Sequence, residues 1–386
     1  MVSICRFVGG VFPNKENIES GLNPNYYNLS KELVKLGIDV TLISQWGAGL
    51  PEKETVSGFD IIRVKGLFKG KLMSPLKYLP LNLAALSETK KIDFDILQLH
   101  NFFGSWIQKF CDKPNVLTVH GCDFEIRDDV PVMPLKYGPF SSIGSWYSIR
   151  QILLMSNIMC HNATHIVGVA KAVSDELVEN FGVKNISFIH NGIDSNYFKK
   201  IKSDKFSEFS DFKILYVGSI IPRKGLEFLF QAIKDLDVKL FLVGNCNNLS
   251  RIYLNDLMQQ YGVKDKIVVL GKVLNQDLPS YYSAADCFVL PTLSEGLPKV
   301  VLEAAACKCP VITTNVSGNP ELINKKTGLL VESKNAFELK KAIEFVMQNS
   351  AKSKKLALNA RYLVENEFTW KKAASKYALL YKTLVE

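Results

Sequence analysis

Residues 286–321 read DCFVLPTLSEGLPKVVLEAAACKCPVITTNVSGNPE, and this stretch contains the pattern from which the fold can be inferred. The run at 286–290 is almost wholly apolar, which is typical of a parallel strand buried on both faces. Pro298 stands where a first helical turn tolerates proline, because its missing N–H would be unbonded there anyway. We therefore expect a helix over 299–307 and a second buried strand over 310–314. This order predicts an open α/β sheet, which binds ligands at the carboxyl ends of its strands.

Apolar, strand-like segments alternate with helix-like segments along the whole chain, which favours parallel sheets. In the first half the predicted strands are 2–8, 38–44, 59–64, 95–100, 116–120, 165–169 and 186–190. In the second half they are 213–218, 238–244, 266–271, 286–290, 310–314 and 328–331. The polar stretch 194–211 is the predicted linker between the two series. The sequence therefore predicts an α/β protein with two doubly wound domains, over 1–195 and 196–370, and a binding site in the cleft between them.

Length and composition are those of a globular protein with more than one core. The 386 residues exceed a comfortable single domain, and the chain is 47% hydrophobic and 22% charged. No apolar run has the length of a transmembrane helix, and the first residues, MVSICRFVGG, lack the apolar core of a signal peptide. The eight cysteines are scattered, and Cys307 with Cys309 is only a weak metal-ligand pattern. We expect reduced cysteines, no metal site and a cytoplasmic protein.

The net charge of +9 narrows the classes of partner. Such a charge suits nucleic acid, an anionic membrane surface or phosphorylated small molecules. There is no zinc-finger spacing, RNA-binding aromatic motif or basic block, so nucleic acid is not an expected partner. The stretch 65–87 interleaves lysines with large apolar residues, which suits peripheral contact with an anionic membrane. A solvated loop packed by its own apolar groups is an equal alternative.

Glu295 and Glu303 are the candidate ligand-binding carboxylates of the opening stretch. They stand eight residues apart, a spacing of about 12 Å along a helix. Gly296 lies between them, ahead of a helix N-terminus whose free N–H groups and dipole favour an anion. Carboxylates bind hydroxyl groups and repel phosphate, so a nucleotide diphosphate sugar, with its anionic centre and polyhydroxylated flanks, would satisfy all three elements. From the spacing alone, a surface Glu295 and a salt-bridged, structural Glu303 are an equal alternative.

The same stretch resembles the donor site of a known enzyme family. The pattern Glu295-x7-Glu303 within EGLPKVVLEA, followed by PVITT and VSGNPEL, is similar to the donor-site motif of the retaining GT-B glycosyltransferases of the glycogen-synthase-like group, family four. The resemblance covers nearly the full chain and is strongest over 218–331. It implies two Rossmann-like domains facing each other across a cleft, with a helix over 371–386 packing back on the first. Lys308 departs from the pattern, because the family usually has glycine at that helix end.

Two predicted strands of the first half end in histidine, at His100 and His120. The segment TVHG at 118–121 resembles the family's T-x-H-G element, in which the histidine lies beside the transferred sugar. The resemblance implies that His120, and not His100, is a site residue. His100 is interpreted as structural, and so is the Asn-Gly turn at 191–192.

Two further loops are candidates for phosphate contacts. Arg223 and Lys224 lie in a strand–helix loop, where a guanidinium fork and an ammonium are well placed for phosphate oxygens. The family usually carries lysine at the position of Lys224 and arginine at that of Ser219, so Arg223 would have to substitute. Ser20 and Gly21 align with a Gly-Gly pair of the family, which implies close approach of the donor phosphate at Gly21. A solvated basic pair and a plain flexible loop are the respective alternatives.

The resemblance as a whole implies a retaining, metal-independent hexosyltransferase. The donor would be a UDP- or GDP-sugar, the acceptor a glycan or a lipid-linked molecule, and the process cell-surface polysaccharide or glycolipid synthesis at the inner face of the membrane. No cofactor beyond the donor substrate is expected. The predicted catalytic residues are His120, Glu295, Arg223 and Lys224. The predicted donor-binding residues are Gly21, Gly218, Arg223, Lys224, Gly296, Leu297, Pro298, Lys299 and Glu303. A non-catalytic sugar-nucleotide-binding module, or another GT-B reaction such as a phosphorylase, stays open as an alternative.

Overall fold

The computed structural model describes residues 2–11, 23–47, 49–66, 79–101, 105–121 and 156–386. These residues form two compact units. The first unit contains the described residues up to 121, then 156–192, and finally 370–386. The second unit is the continuous segment 193–369. The chain therefore leaves the first unit after Gly192 and returns to it at Trp370.

Strands and helices alternate in both units. The strands are β1 (Ser3–Val11), β2 (Asp39–Gln45), β3 (Lys53–Val56), β4 (Phe59–Val64), β5 (Ile96–His100), β6 (Asn115–Val119), β7 (His165–Gly168), β8 (Ile186–Phe188), β9 (Phe212–Val217), β10 (Val238–Val243), β11 (Ile267–Gly271), β12 (Cys287–Leu290), β13 (Val311–Thr314) and β14 (Leu329–Val331). The helices are α1 (Asn23–Lys35), α2 (Leu79–Thr89), α3 (Ser105–Lys109), α4 (Lys171–Phe181), α5 (Leu226–Ile233), α6 (Asn248–Tyr261), α7 (Leu278–Ala284), α8 (Lys299–Ala306), α9 (Asn319–Leu322), α10 (Ala336–Gln348), α11 (Ser350–Glu367) and α12 (Trp370–Val385).

Each unit is built on one sheet. In the described part of the first unit the strand order is β3-β4-β2-β1-β5-β6-β7-β8, with β3 antiparallel to β4 and the other neighbours parallel. In the second unit the order is β11-β10-β9-β12-β13-β14, with every pair parallel. The central strands are buried along their whole length, as their apolar runs predict. The prediction of an α/β protein with two doubly wound sheets is confirmed.

The last helix completes the core of the first unit. Tyr377 and Tyr381 of α12 are buried in one cluster with Leu29 and Leu33 of α1 and with Ile4 of β1. Burying a large apolar side chain stabilises a fold by about 1.5–3 kcal/mol. The first unit therefore depends on two segments of chain that are separated by the whole second unit.

Lys308 adopts the conformation that the family usually assigns to glycine. Its φ is +55°, in the left-handed region, and its N–H donates to Ala305 O at 3.0 Å. The next residue, Cys309, donates its N–H to Ala304 O at 3.0 Å, which completes a Schellman turn after α8. The turn therefore keeps its geometry although lysine replaces glycine, and the backbone of Lys308 is strained because its φ is positive.

We expect Lys308→Gly to stabilise the protein. A non-glycine residue in the left-handed region costs about 1–2 kcal/mol, and glycine loses roughly 0.5–1 kcal/mol through its greater freedom in the unfolded chain. The free energy of unfolding should therefore rise by about 0.5–1 kcal/mol, measured by urea denaturation. Lys308 is exposed, so Lys308→Ala is a matched control that removes the long side chain, keeps the strain and brings no comparable gain. Equal stability of the two variants would contradict this account.

Candidate active site

The predicted donor loops lie at the topological switch point of the second unit. Strands β9 and β12 are neighbours, but the chain continues from β9 towards β10 and β11 and from β12 towards β13 and β14 on the other side. The loops that follow β9 and β12 therefore diverge above the sheet, where open α/β sheets form their ligand crevice. Gly218 to Lys224 belong to the first of these loops, and 291–298 form the second.

Several polar contacts join the two loops. Arg223 Nη1 donates to the carbonyl oxygen of Ser294 at 2.6 Å, and the N–H of Leu293 donates to the carbonyl oxygen of Arg223 at 2.9 Å. Lys224 and Glu295 form an ion pair, and each of these side chains is only 13% exposed. The structure therefore brings together Arg223, Lys224 and Glu295, which the sequence analysis had selected from two separate motifs.

Gly225 allows the loops to approach so closely. Its φ is +68°, and a Cβ atom added there would lie 1.9 Å from the carbonyl oxygen of Pro291. A side chain at Gly218 would also be crowded, because an added Cβ would lie 2.9 Å from the hydroxyl of Tyr216. That hydroxyl donates to Ser219 O at 2.7 Å. The backbone of the loop after β9 therefore packs at distances that only glycine permits at these positions.

The loop after β13 supports Glu295 and Gly296 from the other side. The N–H of Gly318 donates to the carbonyl oxygen of Gly296 at 2.9 Å, and the N–H of Glu295 lies 3.5 Å from Ser317 Oγ. Thr292 Oγ1 lies 3.3 Å from Glu295 Oε1. Glu295 is thus held by groups from three adjacent loops at the carboxyl edge of the sheet.

Helix α8 begins at Lys299 with Pro298 at its N-cap and no side-chain cap. Leu297 is 6% exposed, and Gly296 and Pro298 are also buried. The predicted donor residues of this segment are therefore packed into the base of the loop, and Lys299, which is half-buried, stands on the first turn of the helix.

Glu303 is a buried carboxylate one turn further along α8. It is 4% exposed, and the hydroxyl of Tyr282 donates to its Oε2 at 2.9 Å. Burial raises the pKa of Glu303, while the nearby Lys299 ammonium and the Tyr282 hydrogen bond act in the opposite direction. Burial likewise lowers the pKa of Lys299, and Glu303 opposes that shift. A carboxylate in such surroundings can accept hydrogen bonds from hydroxyl groups with little competition from water.

In the first unit, His120 follows β6 and is paired with His100 at the end of β5. His100 Nδ1 lies 3.1 Å from His120 Nε2, and the ring planes are inclined by 25° with centroids 5.3 Å apart. The backbone N–H of His120 donates to Asn101 Oδ1 at 3.0 Å, and its Nδ1 lies 3.4 Å from Asn191 Nδ2. The sequence analysis interpreted His100 and Asn191 as structural and did not predict their contacts with His120. The available signal was that one histidine ends β5, the other follows β6, and parallel neighbours end at the same edge of a sheet.

Other predicted features lie outside the described residues. They include Ser20, Gly21 and most of the basic-apolar stretch 65–87. At the start of that stretch, Lys65 pairs with Glu52 and lies 5.2 Å from the Trp46 ring. Close approach at Gly21 and contact with a membrane therefore stay predictions.

The cysteines and acidic residues of the described ranges form no cluster of three or more potential metal ligands. Cys307 and Cys309 are buried free thiols, and burial raises the pKa of Cys307 to about 12. Thiols that resist ionisation are poor metal ligands. Among the helices of the described residues, none is long and apolar enough to cross a membrane.

Comparisons with known proteins agree with this architecture. Residues 20–197 match the model of Glycosyltransferase Family 4, and residues 198–362 match that of Glycosyl transferases group 1. The chain is 25% identical to the uncharacterized glycosyltransferase MJ1607 of Methanocaldococcus jannaschii, over 96% of both chains. It is 30% identical to the capsular polysaccharide biosynthesis glycosyltransferase CapM of Staphylococcus aureus, over 58% of this chain and 64% of CapM.

The fold is shared with solved structures. Anabaena Alr3699/HepE in complex with UDP-glucose superposes with a TM-score of 0.74 and 17% identity, over 99% of this chain and 100% of HepE. The two family models meet between residues 197 and 198, within the linker that joins the two sheets. The chain therefore belongs to the group 1 glycosyltransferases, with a family 4 domain in its first half and the two-domain GT-B fold.

Proposed function

We propose that this glycosyltransferase moves a hexose from a UDP- or GDP-sugar, with retention of anomeric configuration and without a metal, to a glycan or lipid-linked acceptor in cell-surface polysaccharide or glycolipid synthesis. The observation that carries the proposal is the convergence of Arg223, Lys224 and Glu295 at the switch point of the second sheet. The role of CapM in capsular polysaccharide biosynthesis supports the acceptor class, and the UDP-glucose bound to HepE supports the donor class.

Arg223 and Lys224 act on the diphosphate. Negative charge develops on it as the glycosidic bond breaks, and fixed positive charge at that place lowers the barrier. The side-chain conformational entropy of a lysine is worth about 2 kcal/mol. Because Lys224 is already held by Glu295, donor binding costs little of this entropy. The N-terminus of α8 adds the positive end of its helix dipole. Together these groups supply the charge that a metal ion supplies in other transferases.

The two carboxylates act on the hydroxylated parts of the donor. Glu303 accepts hydrogen bonds from the ribose, and Glu295 accepts them from the transferred sugar. His120 also acts on that sugar, by the resemblance of its TVHG segment to the family's element. In the retaining step the acceptor oxygen bonds to the anomeric carbon on the face from which the phosphate oxygen leaves, and that phosphate oxygen takes the acceptor's proton.

Incubation with single nucleotide sugars tests the proposal directly. We expect hydrolysis or transfer with at least one UDP- or GDP-hexose in the presence of EDTA, with an α-linked donor giving an α-linked product by proton NMR. A non-catalytic module would bind a nucleotide and release no sugar. A phosphorylase would require inorganic phosphate and show the absorbance of bound pyridoxal phosphate. Inversion of configuration, or loss of activity in EDTA, would overturn the respective part of the proposal.

Glu303→Gln should weaken nucleotide binding itself. A hydrogen bond to a charged group contributes about 1.5–3 kcal/mol, so the Kd for UDP or GDP should rise by roughly tenfold or more in calorimetry. Inorganic pyrophosphate lacks the ribose and serves as the matched control ligand, whose affinity should not change. Equal losses for both ligands would remove the ribose assignment.

The raised pKa of Glu303 gives this site a pH dependence of known sign. Only the carboxylate form accepts hydrogen bonds at both oxygens. The pKa of Glu303 lies above the ordinary value, so Glu303 becomes protonated at a higher pH than an ordinary glutamate does. Ribose binding should weaken over that same higher pH range. The ratio of nucleotide to pyrophosphate affinity should therefore fall on mild acidification in the wild type. It should stay constant in Glu303→Gln.

Arg223→Ala and Lys224→Ala should each lower turnover more than donor binding, since their charges matter most as the diphosphate departs. Steady-state kinetics separate the two effects. Lys234→Ala, at an exposed position after α5, is the matched surface control and should behave like the wild type. An increase in KM with unchanged kcat would assign uniform binding to these residues instead.

Glu295→Gln and His120→Ala should leave the affinity for free UDP or GDP nearly unchanged and lower transfer by about 10²-fold or more, the scale of a lost catalytic group. Thermal unfolding of the same variants separates function from structure. If stability and nucleotide affinity fall together with activity, the residue is structural. Full transfer at intact stability would exclude the residue from the site.

A further inference from the structure

Arg6 is a fully buried cation whose hydrogen bonds within the described part of the chain go to neutral groups. It lies on β1 and is 0% exposed. Its Nε donates to Gln98 Oε1 at 2.7 Å, and its Nη1 donates to Tyr26 O at 2.9 Å and to Ser30 Oγ at 2.5 Å. Its Nη2 lies 3.0 Å from His100 Nε2. A guanidinium only donates hydrogen bonds, so each of these partners must accept.

The donor at Arg6 determines where the protons of the two histidines lie. His100 Nε2 accepts from Arg6, so the proton of its neutral ring is on Nδ1. That Nδ1–H then donates to His120 Nε2 at 3.1 Å, so the neutral ring of His120 carries its proton on Nδ1. An imidazolium at His120 would place a second N–H against the N–H of His100. The chain of donors therefore also favours the neutral form of His120.

We propose that Arg6 and His100 are positioning residues that hold His120 as a neutral imidazole with its proton on Nδ1, ready to donate a hydrogen bond to an oxygen of the transferred sugar. The assignment of the sugar to His120 rests on the proposed function. The tautomer does not, because it follows from the two contacts Arg6–His100 and His100–His120. His120 is then a hydrogen-bond donor of fixed direction, and it is neither a general acid nor a general base at Nε2.

On the other side of His120, the amide nitrogen Nδ2 of Asn191 lies 3.4 Å from Nδ1. The proposed tautomer requires this amide to be turned over, and the oxygen and nitrogen of an asparagine amide can exchange places. With its oxygen turned towards the ring, Asn191 accepts the Nδ1–H until a sugar hydroxyl replaces it. The ring of Tyr26 lies edge-on to both histidine rings, at 4.6 Å from His100 and 6.0 Å from His120.

The electrostatics around His100 act in the same direction. Burial holds the pKa of His100 well below its ordinary value, and the charge of Arg6 lowers it further. Among the described residues, the other titratable groups that face Arg6 are Tyr26, Tyr377 and Tyr381. They are neutral at physiological pH, since burial raises the pKa of each of them. His100 thus stays uncharged and keeps one acceptor and one donor nitrogen.

Nitrogen-15 NMR of the wild-type protein tests the tautomers without any substitution. The chain has five histidines, so their ring signals can be assigned by single replacements. At neutral pH we expect His100 and His120 each to show a protonated Nδ1 and an unprotonated Nε2. A proton on His120 Nε2, or a doubly protonated ring, overturns the proposal. This result is independent of any sugar donor.

Two replacements of His100 separate positioning from packing. His100→Asn keeps an N–H close to the place of Nδ1, whereas His100→Leu fills similar space without a donor. In the leucine variant we expect His120 to carry its proton on either ring nitrogen and kcat to fall by about tenfold or more. For comparison, a serine protease whose catalytic histidine is in the wrong tautomer loses roughly 10⁴-fold. The asparagine variant should retain both the tautomer and most of the activity. Equal impairment of the two variants overturns the positioning role.

Arg6→Met tests the first donor of the chain. It removes every N–H and keeps most of the volume, so His100 should become free to carry its proton on Nε2. Wild-type tautomers in this variant overturn the role of Arg6. Failure of the proposed function would look different: the wild-type protein would act on no nucleotide sugar, while the NMR signals of His100 and His120 would still report the predicted tautomers.

Discussion

The close contact between the loops after β9 and β12 is the constraint on which the candidate active site depends. The carbonyl oxygen of Pro291 occupies the space that a side chain at residue 225 would need. Once the loops meet there, the backbone of Arg223 bonds to Leu293 and its guanidinium bonds to Ser294. Lys224 and Glu295 then face each other as a consequence. A cation for phosphate and an acceptor for hydroxyl groups are thereby placed side by side before any ligand arrives.

Buried charge in the second unit is compensated in two different ways, and each has an energetic consequence. Lys224 and Glu295 neutralise each other, so neither is left as an isolated charge in the site. Among the described residues, Glu303 has a phenol and a nearby ammonium to offset its burial, and its pKa is raised. The raised pKa means that the contribution of Glu303 to stability is greatest below its unfolded pKa and is lost as pH rises through its folded pKa. At neutral pH this carboxylate therefore lowers stability, as groups kept for ligand binding often do.

The sheets could be predicted from sequence because their signal is local. Each apolar run that favoured a buried strand became one, within a few residues at its ends. The short strand β3 was missed, since KETV at 53–56 is mostly polar and forms its ladder on the edge of the sheet. The family resemblance found the residues around Glu295 because they are contiguous in sequence. It interpreted His100 as structural, because the contacts of His100 with Arg6 and His120 bridge three strands and no single segment contains that pattern.

The return of α12 to the first unit has a consequence for the order in which the protein is made. Tyr377 and Tyr381 belong to the same core as Ile4 and Leu29, yet about 350 residues of chain separate them. A chain that grows from its amino terminus at about 5–20 residues per second must therefore synthesise all of the second unit before the first can close its core. During that interval the face of α1 that later packs on α12 has no covering helix. The first unit is therefore the last to complete its core. Until then, the ribosome or other factors that shield nascent chains must keep the apolar face of α1 from associating with other molecules.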